Sequence, residues 1–395
     1  MVFDTRSRRS TVSIMDFSFS SQQDEFRALV ATFARDKVAP FADDWDAQAH
    51  FPLDAVLALG DLGAFGITFP ERYGGLDLDF STLCIAIEEL ARFDSSIAIT
   101  LSAGVGLGAN PIYSFGSEDQ KQTYLPDMCA GKALGAFGLT EPDAGSDAGA
   151  TRSKAEFDSR THEWVISGSK AYITNSGTPM TSVITVTART SEGISAFLVP
   201  SGTPGLVIEP AYRKLGWHAS DTHGIYMDNV RVPEANLLGT PGRGFAQFLS
   251  ILDDGRVAIA ALAVGLAQGC LEEALQYAKV RNAFGGPIGR HQAVAFMCSD
   301  MATKVEAART MTYRAAWFKD NGKPFKQEAA MAKLFATEAA MDVARMATQV
   351  FGGAGFIEGN AVTRHFRDAK ILEIGEGTSE IQRLVIARGL GLPVS

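Results

Sequence analysis

Glu163-Trp164-Val165-Ile166, followed by Ser182 to Ala188 and Ile194 to Val199, is the stretch whose reading decides how this chain is built. The three runs are short, rich in β-branched residues and bounded by Gly, Pro, Ser or Asn, so they read as antiparallel strands. They sit inside a segment, Ala133 to Pro233, whose character differs from everything around it. Upstream, Gln23 to Val38 carries Phe26, Leu29, Val30 and Phe33 at the spacing of one helix face, with Pro40 just past the end. Leu53 to Leu62 and Leu83 to Ala91 repeat that pattern, separated by the turn-forming Pro70-Glu71-Arg72-Tyr73-Gly74-Gly75. Downstream of Phe245 the chain is Ala-rich and helical in long stretches, Arg256 to Arg281, Arg290 to Asn321 and Phe325 to Val350. Long helices that alternate small and large apolar residues read as a bundle. The fold class is therefore α+β: an N-terminal helical domain over 17–133, a middle antiparallel β-domain over 134–244 and a C-terminal four-helix bundle over 245–395.

Residues 1–16 stand apart. They are rich in Ser and Arg, the composition of a transit peptide, but they carry Asp4 and no clear amphipathic period. A disordered tail, or a start codon placed upstream of Met15, is the expectation. The bulk numbers exclude several classes of function. A net charge of −9 without a run of Lys or Arg leaves no cluster to neutralise a nucleic-acid backbone. No apolar window is long enough to cross a membrane as a helix. Cys84, Cys129, Cys270 and Cys298 are far apart, form no CxxC and have no His cluster beside them, so no metal site is expected and a reduced cytoplasm is the simpler setting.

Near the C-terminus, Gly375-Glu376-Gly377-Thr378-Ser379-Glu380-Ile381-Gln382-Arg383 places one carboxylate between two glycines at the mouth of a helix. The glycines permit backbone conformations and close approaches closed to other residues. Thr378 and Ser379 are N-cap types, and Ser379 with Gln382 has capping-box spacing. Alone, this also describes a solvated glutamate at a helix start. Gly104-Val105-Gly106-Leu107-Gly108-Ala109 matches a relaxed dinucleotide fingerprint, and Ile97 to Leu101 before it could pass for a strand. The βαβ rhythm that gives the fingerprint its meaning is missing, and Pro111 follows at once, so a nicotinamide site is rejected.

Four further segments join the Glu376 loop: Ala136-Phe137-Gly138-Leu139-Thr140-Glu141-Pro142-Asp143-Ala144-Gly145-Ser146-Asp147, Gly168-Ser169-Lys170-Ala171-Tyr172-Ile173-Thr174-Asn175, Arg281-Asn282-Ala283-Phe284-Gly285-Gly286-Pro287-Ile288 with Gln292 beyond, and Gln349-Val350-Phe351-Gly352-Gly353-Ala354-Gly355-Phe356. In this order, on an α–β–α chain, they resemble the acyl-CoA dehydrogenase family from about Phe17 to Leu392. Read as chemistry alone, Leu139 and Thr140 can supply backbone and hydroxyl hydrogen bonds to a flat apolar slot, and Tyr172 and Thr174 can cover it. The alternative is core and turn residues of a β-domain: for Thr140 and Ser146 the functional reading is preferred, while for Leu139 and Phe137 backbone contact and packing are equally good readings.

The resemblance implies more. Phe137, Leu139, Thr140, Gly145 and Ser146 would line FAD, with Ser146 also facing the thioester, and Tyr172 and Thr174 would stand at the family's aromatic-x-Thr pair. Arg281, Phe284 and Gln292 match positions that reach the FAD of a neighbouring subunit. Gln349, Gly352 and Gly353 match its adenosine and pyrophosphate contacts, and Thr378 and Glu380 match contacts at the other end. Without the family, Arg281 is a surface ion-pairing residue and Gly352-Gly353 plain punctuation. The implied reaction is FAD-dependent oxidation of an acyl-CoA to the trans-2-enoyl-CoA, with Glu376 taking the α-proton while hydride passes to flavin N5. Some members place the base one residue before the arginine of Asp253-Asp254-Gly255-Arg256; here that position is Gly255, which leaves the role to Glu376. Asp253 and Arg256 match residues at the CoA arm, and Phe245 the flank of the pantetheine, although Asp253 also fits a helix-start carboxylate. Gly375 and Gly377 border the substrate, and Gly375 departs from the tyrosine common there, which predicts a wider cavity and a bulkier or branched acyl group.

The family also implies electron-transferring flavoprotein as acceptor and a homotetramer. Alternatives are a flavoprotein of the same fold acting on a thioester of acyl carrier protein, and a non-catalytic scaffold member. Acyl-CoA oxidases carry an extra C-terminal domain, flavin monooxygenases lack the loop glutamate and nitroalkane oxidases replace it with aspartate, so Glu376 and the chain length favour the dehydrogenase.

Overall fold

The computed structural model describes residues 18–394. The expectations for 1–16 lie outside the described residues. Seven helices come first: α1 (Ser21–Phe33), α2 (Ala42–Gln48), α3 (Leu53–Asp61), α4 (Phe80–Ala91), α5 (Ser95–Ala103), α6 (Asn110–Phe115) and α7 (Glu118–Cys129). Their starts are written in the sequence. Ser20 accepts from the Gln23 amide at 3.2 Å while Gln23 returns a bond to Ser20, a full capping box, and Ser117 with Gln120 repeats it. Asp79 and Asp94 cap α4 and α5 with a side-chain oxygen alone, accepting from the Thr82 and Ile97 amides. Helices α4 and α5 are almost wholly buried and pack onto the C-terminal helices, so the first and last helical parts share one core.

Eight strands follow: β1 (Leu134–Gly138), β2 (Lys154–Asp158), β3 (Glu163–Thr174), β4 (Thr181–Thr190), β5 (Gly193–Pro200), β6 (Leu206–Ile208), β7 (Thr222–Pro233) and β8 (Leu237–Leu238). They form one sheet in the order β6-β7-β3-β2-β4-β5-β8, with β1 laid against β4. The expectation of a purely antiparallel domain needs correction. Hairpins such as β4/β5, in register from Val183↔Pro200 to Thr190↔Gly193, are antiparallel, but β1 runs parallel to β4 and β2 touches β4 in parallel at Lys154↔Arg189. Parallel neighbours require a long crossover. Here β2 and β3 intervene in sequence between β1 and β4, so nothing local forces the return direction.

Five helices close the chain: α8 (Gly244–Val280), α9 (Gln292–Asp320), α10 (Lys326–Phe351), α11 (Ala361–Leu372) and α12 (Ser379–Gly389). Helices α8, α9 and α10 pack together and α11 lies on α8 and α10, giving the bundle of four; α12 docks on α10. Helix α8 begins twelve residues before the expected Arg256, because Phe248 and Ile251 continue its buried face. The rejected nucleotide fingerprint turns out to be helical throughout: Ile97 to Leu101 belong to α5, Gly104–Ala109 form a π-helical turn, and Pro111 sits in the first turn of α6, where a missing N–H costs nothing. The reason for glycine there is close approach. A Cβ on Gly108 would lie 2.6 Å from the Gly135 carbonyl oxygen of β1.

No described helix is long and apolar enough to cross a membrane, and the described residues contain no cluster able to hold a metal ion. All four cysteines are free and buried.

Candidate active site

Glu376 occupies the short loop between α11 and α12, and its backbone takes φ 53°, followed by Gly377 at φ 94°. A left-handed glutamate is strained and persists only where its surroundings impose it. Several contacts impose it here. The Gly375 amide bonds back to the Ile371 carbonyl at 2.8 Å, and the Ser379 amide reaches over the loop to the Glu373 carbonyl at 2.9 Å. Thr378 is the N-cap of α12, accepting from the Ile381 amide at 3.3 Å. This corrects the capping box expected for Ser379 and Gln382, since Ser379 is already helical and buried. The Gln382 amide instead donates to the Gly377 carbonyl at 2.8 Å. That carbonyl also receives the Lys333 ammonium at 2.5 Å, from α10.

The carboxylate of Glu376 points at α8. Its Oε2 is sealed from solvent and has no hydrogen-bond partner among the described residues. Gly255 makes the room: a Cβ there would stand 1.8 Å from Oε2 and 3.0 Å from Cδ. The sequence reading took Gly255 only as the place where a base is missing; it is also the recess that receives the Glu376 carboxylate from the other loop. Burial pushes the Glu376 acid up to about 7, against the Lys333 and Arg256 charges, which favour the ionised form. A base near the working pH is suited to proton abstraction. Arg256 is itself buried and paired with Asp253 at 2.5 Å within α8.

The β-domain segment is held as firmly. Leu139 and Thr140 follow β1 directly, and the Thr140 carbonyl accepts from the Ala171 amide at 2.9 Å. Beneath them Lys170, wholly buried, donates to Glu141 at 2.8 Å and Thr187 at 3.2 Å. Glu141 also accepts from the Arg152 and Ser153 amides at 2.6 and 3.0 Å. Burial alone would raise the Glu141 acid, but Lys170 and those amides outweigh it and hold it below the ordinary range. Phe137 stacks on Phe248 of α8 with ring centres 4.1 Å apart, tying the end of β1 to the helix that carries Gly255. Gly145 and Ser146 lie on an exposed loop, and nothing stands within 4 Å of the Cβ position at Gly145. Farther round that loop, a Cβ at Gly149 would stand 3.7 Å from the Phe245 ring. Pairing of β3 with β7 slips between Lys170 and Ile173, and in that bulge Tyr172 has φ 62° and a ring 68% exposed. A bulge re-aims one side chain out of the sheet pattern, and here it turns Tyr172 outward beside half-buried Thr174.

Not every expected residue gathers at Glu376. Arg281 lies at the far end of α8, roughly 39 Å along the helix from Gly255 at about 1.5 Å per residue. Arg281, Gln292, Gln349, Gly352 and Gly353 are exposed, and Phe284 is 91% exposed with φ 51°. Stacking of Tyr277 on Phe351 at 4.2 Å draws the 281–292 and 349–353 segments into one group at that end. Thr378 and Glu380 stay with the Glu376 loop, Thr378 as a cap and Glu380 exposed. The expected residues therefore fall in three places: the Glu376 loop against α8, the sheet segments around Thr140 and Tyr172, tied to α8 through Phe137 on Phe248, and the exposed end around Arg281 and Gly352.

Three matches over the chain carry the description acyl-CoA dehydrogenase: the N-terminal domain over residues 20–132, the middle domain over 136–230 and the C-terminal domain over 242–391. This chain belongs to the acyl-CoA dehydrogenase family. It is 49% identical to the probable acyl-CoA dehydrogenase YngJ of Bacillus subtilis over 380 residues, which covers 95% of this chain and 100% of that one. The structure of butyryl-CoA dehydrogenase from Megasphaera elsdenii superposes with a TM-score of 0.92 at 41% identity, covering 95% and 100% of the two chains. An acyl-CoA dehydrogenase from Bacillus anthracis, solved in complex with FAD, gives 0.91 at 31% identity over 96% and 70%. This chain is thus an oxidoreductase of a flavin-dependent family, with the helix–sheet–helix order of its relatives.

Sequence reading missed Lys333, Gln382, the Lys170–Glu141 pair and the Asp368 junction. In the last, Asp368 of α11 accepts from Ser95 and from the Trp217 amide, each at 2.6 Å, so the helix leading into the Glu376 loop is pinned to both other domains. A signal for Lys333 did exist. It falls in the stripe Ala329, Lys333, Ala336 and Ala340 at helical spacing, where a charge has no place unless it has a task.

Proposed function

We propose that this enzyme oxidises a short or branched acyl-CoA between its α and β carbons, with Glu376 as the base. The observation that carries the reading is the Glu376 carboxylate facing Gly255, with its Oε2 sealed from solvent and lacking a hydrogen-bond partner among the described residues, and its pKa raised to about 7 by burial. The residues present fit FAD. Tyr172 and Phe284 offer exposed rings in left-handed conformations, and the positions around Gly145, Gly352 and Gly353 are open within 4 Å. Phe137, Leu139, Thr140, Gly145, Ser146, Tyr172 and Thr174 would hold the ring from this chain. Arg281, Phe284, Gln292, Gln349, Gly352 and Gly353 would meet the cofactor of a neighbouring subunit in a homotetramer, which explains their distance from Glu376. FAD, when bound, supplies the acceptor for the hydride that leaves the β carbon.

The chain's own residues then divide the work. Glu376 removes the α-proton, and its backbone N–H donates to the thioester carbonyl as negative charge builds there. Asp253 and Arg256 border the CoA arm, Phe245 flanks the pantetheine and Ser146 faces the thioester. At Gly375 a Cβ would meet nothing closer than the Ile371 carbonyl at 3.5 Å, so the space a larger side chain would take is left to the acyl group. Electrons leave to an electron-transferring flavoprotein, and a bacterial cytoplasm suits four reduced, buried cysteines.

The test is anaerobic titration of the purified protein with straight, branched and aromatic acyl-CoAs while flavin absorbance is followed. Bleaching by one thioester, lost in Glu376→Gln, supports the reading and names the acyl class. A yellow protein that no acyl-CoA bleaches contradicts it and points to a carrier-protein thioester; a protein that cannot be loaded with FAD contradicts it altogether.

A further inference from the structure

Lys333 is the most anomalous side chain in the bundle. It lies in α10 among alanines, is 0% exposed, and its ammonium has been taken wholly out of water. Burying an ion costs several kcal/mol (about that much even after relaxation) unless charge and hydrogen bonds compensate. Among the described residues its ammonium donates to the Gly377 carbonyl at 2.5 Å, one residue beyond Glu376. The Gln382 amide shares the same carbonyl at 2.8 Å. Two donors from two helices, α10 and α12, thus converge on the peptide that fixes the left-handed turn at Glu376. Across the loop, Glu376 Oε2 has no donor of its own, so the ammonium acts on it through space.

We propose that Lys333 is a positioning residue for Glu376: with Gln382 it clamps the Gly377 carbonyl, and it keeps a positive charge under the loop carboxylate. The proposal rests on Glu376 as the base and says how that base is held ready. The charged groups facing Lys333 are Glu376 and Glu373 on the loop side, Glu380 on α12 and Arg256 on α8, with Asp253 neutralising Arg256. Burial draws the Lys333 ammonium down to about 8, and the Glu376 charge works against that fall. The two groups therefore stabilise each other's ionised forms in the range where the proton must move. Among the described residues, Lys333 and then Arg256 are the charges that counter the burial of Glu376.

The experiment compares the pH dependence of flavin bleaching by acyl-CoA in the unaltered enzyme, Lys333→Met, Lys333→Gln and Gln382→Leu, all loaded with FAD, beside Glu376→Gln. Lys333→Met moves the acid limb of the rate to higher pH by about one unit or more, because the opposing charge is gone, and weakens acyl-CoA binding. Lys333→Gln keeps a donor for the carbonyl without the charge, so it recovers binding and retains the shifted limb. Gln382→Leu removes a donor without a charge, so binding weakens and the limb stays in place. A limb that superimposes on that of the unaltered enzyme in both Lys333 variants overturns the proposal. If Lys333→Met does not fold, the contrast between Lys333→Gln and Gln382→Leu decides alone. Bleaching that survives in Glu376→Gln overturns the base assignment instead, so the two failures are distinguishable.

Discussion

Replacing Gly255 by alanine sets helix stability and catalysis in opposite directions. Gly255 sits inside α8, with no left-handed φ to forbid a side chain. In a helix interior, glycine to alanine is favourable by about 1 kcal/mol. The three atoms nearest the new Cβ all belong to the Glu376 carboxylate, with Oε2 at 1.8 Å, Cδ at 3.0 Å and Oε1 at 3.7 Å. The carboxylate is the mobile end of a side chain, so it yields rather than the helix, and Oε2 must retreat by more than about 1 Å. A misplacement of about 1 Å can cost roughly 10²-fold in rate, equivalent to ~2.7 kcal/mol at 1.36 kcal/mol per tenfold. The assay is anaerobic stopped-flow reduction of the flavin by a saturating acyl-CoA, with thermal unfolding and flavin content measured on the same preparation. The expected outcome is an unchanged or higher midpoint, full flavin loading and a rate constant about 100-fold lower. A rate within about threefold of the unaltered enzyme would refute the idea that Gly255 is the recess for the base. So would a fall in the midpoint, since the helix would then have moved instead of the carboxylate.

Three other outcomes follow from the same geometry. Because burial holds the Glu376 acid near 7, above the ordinary carboxylate range, the base is protonated below that pH, and the bleaching rate rises with pH through about 7; a flat profile between about pH 5 and 9 would contradict the burial argument. Gly375→Tyr narrows the space beside the loop and shifts preference from branched toward straight acyl-CoAs in the thioester titration, and an unchanged ranking would remove Gly375 from the specificity account. Glu141→Gln leaves the Lys170 ammonium buried without an anion, which costs about 3–5 kcal/mol; a lower thermal midpoint and weaker FAD retention are expected, and neither change would mean the pair under Leu139 and Thr140 is dispensable.

The chain's own order of patterns determined the order of its structure. Short β-branched runs such as Glu163 to Ile166 and helix-period stripes such as Phe26, Val30 and Phe33 are local signals, since each reflects a preference or a face that the element shows whatever it packs against. Caps at Ser20, Asp79, Asp94 and Ser117 are local too, because the groups they satisfy lie within one turn. The Glu376 loop was legible for a similar reason: a carboxylate between glycines before a capped helix is a short-range arrangement. What the tertiary structure decided is everything that depends on which elements meet. The parallel placement of β1 on β4 and the pinning of α11 by Trp217 and Ser95 join residues 47 to 273 positions apart, and no local period encodes such pairings. Gly255 reads as an absence in the sequence and becomes the recess for Glu376 only when the loop folds against α8. Lys333 interrupts an alanine stripe in the sequence, but what it meets there is decided only in the fold, because desolvation is set by the whole bundle rather than by any neighbour in the chain.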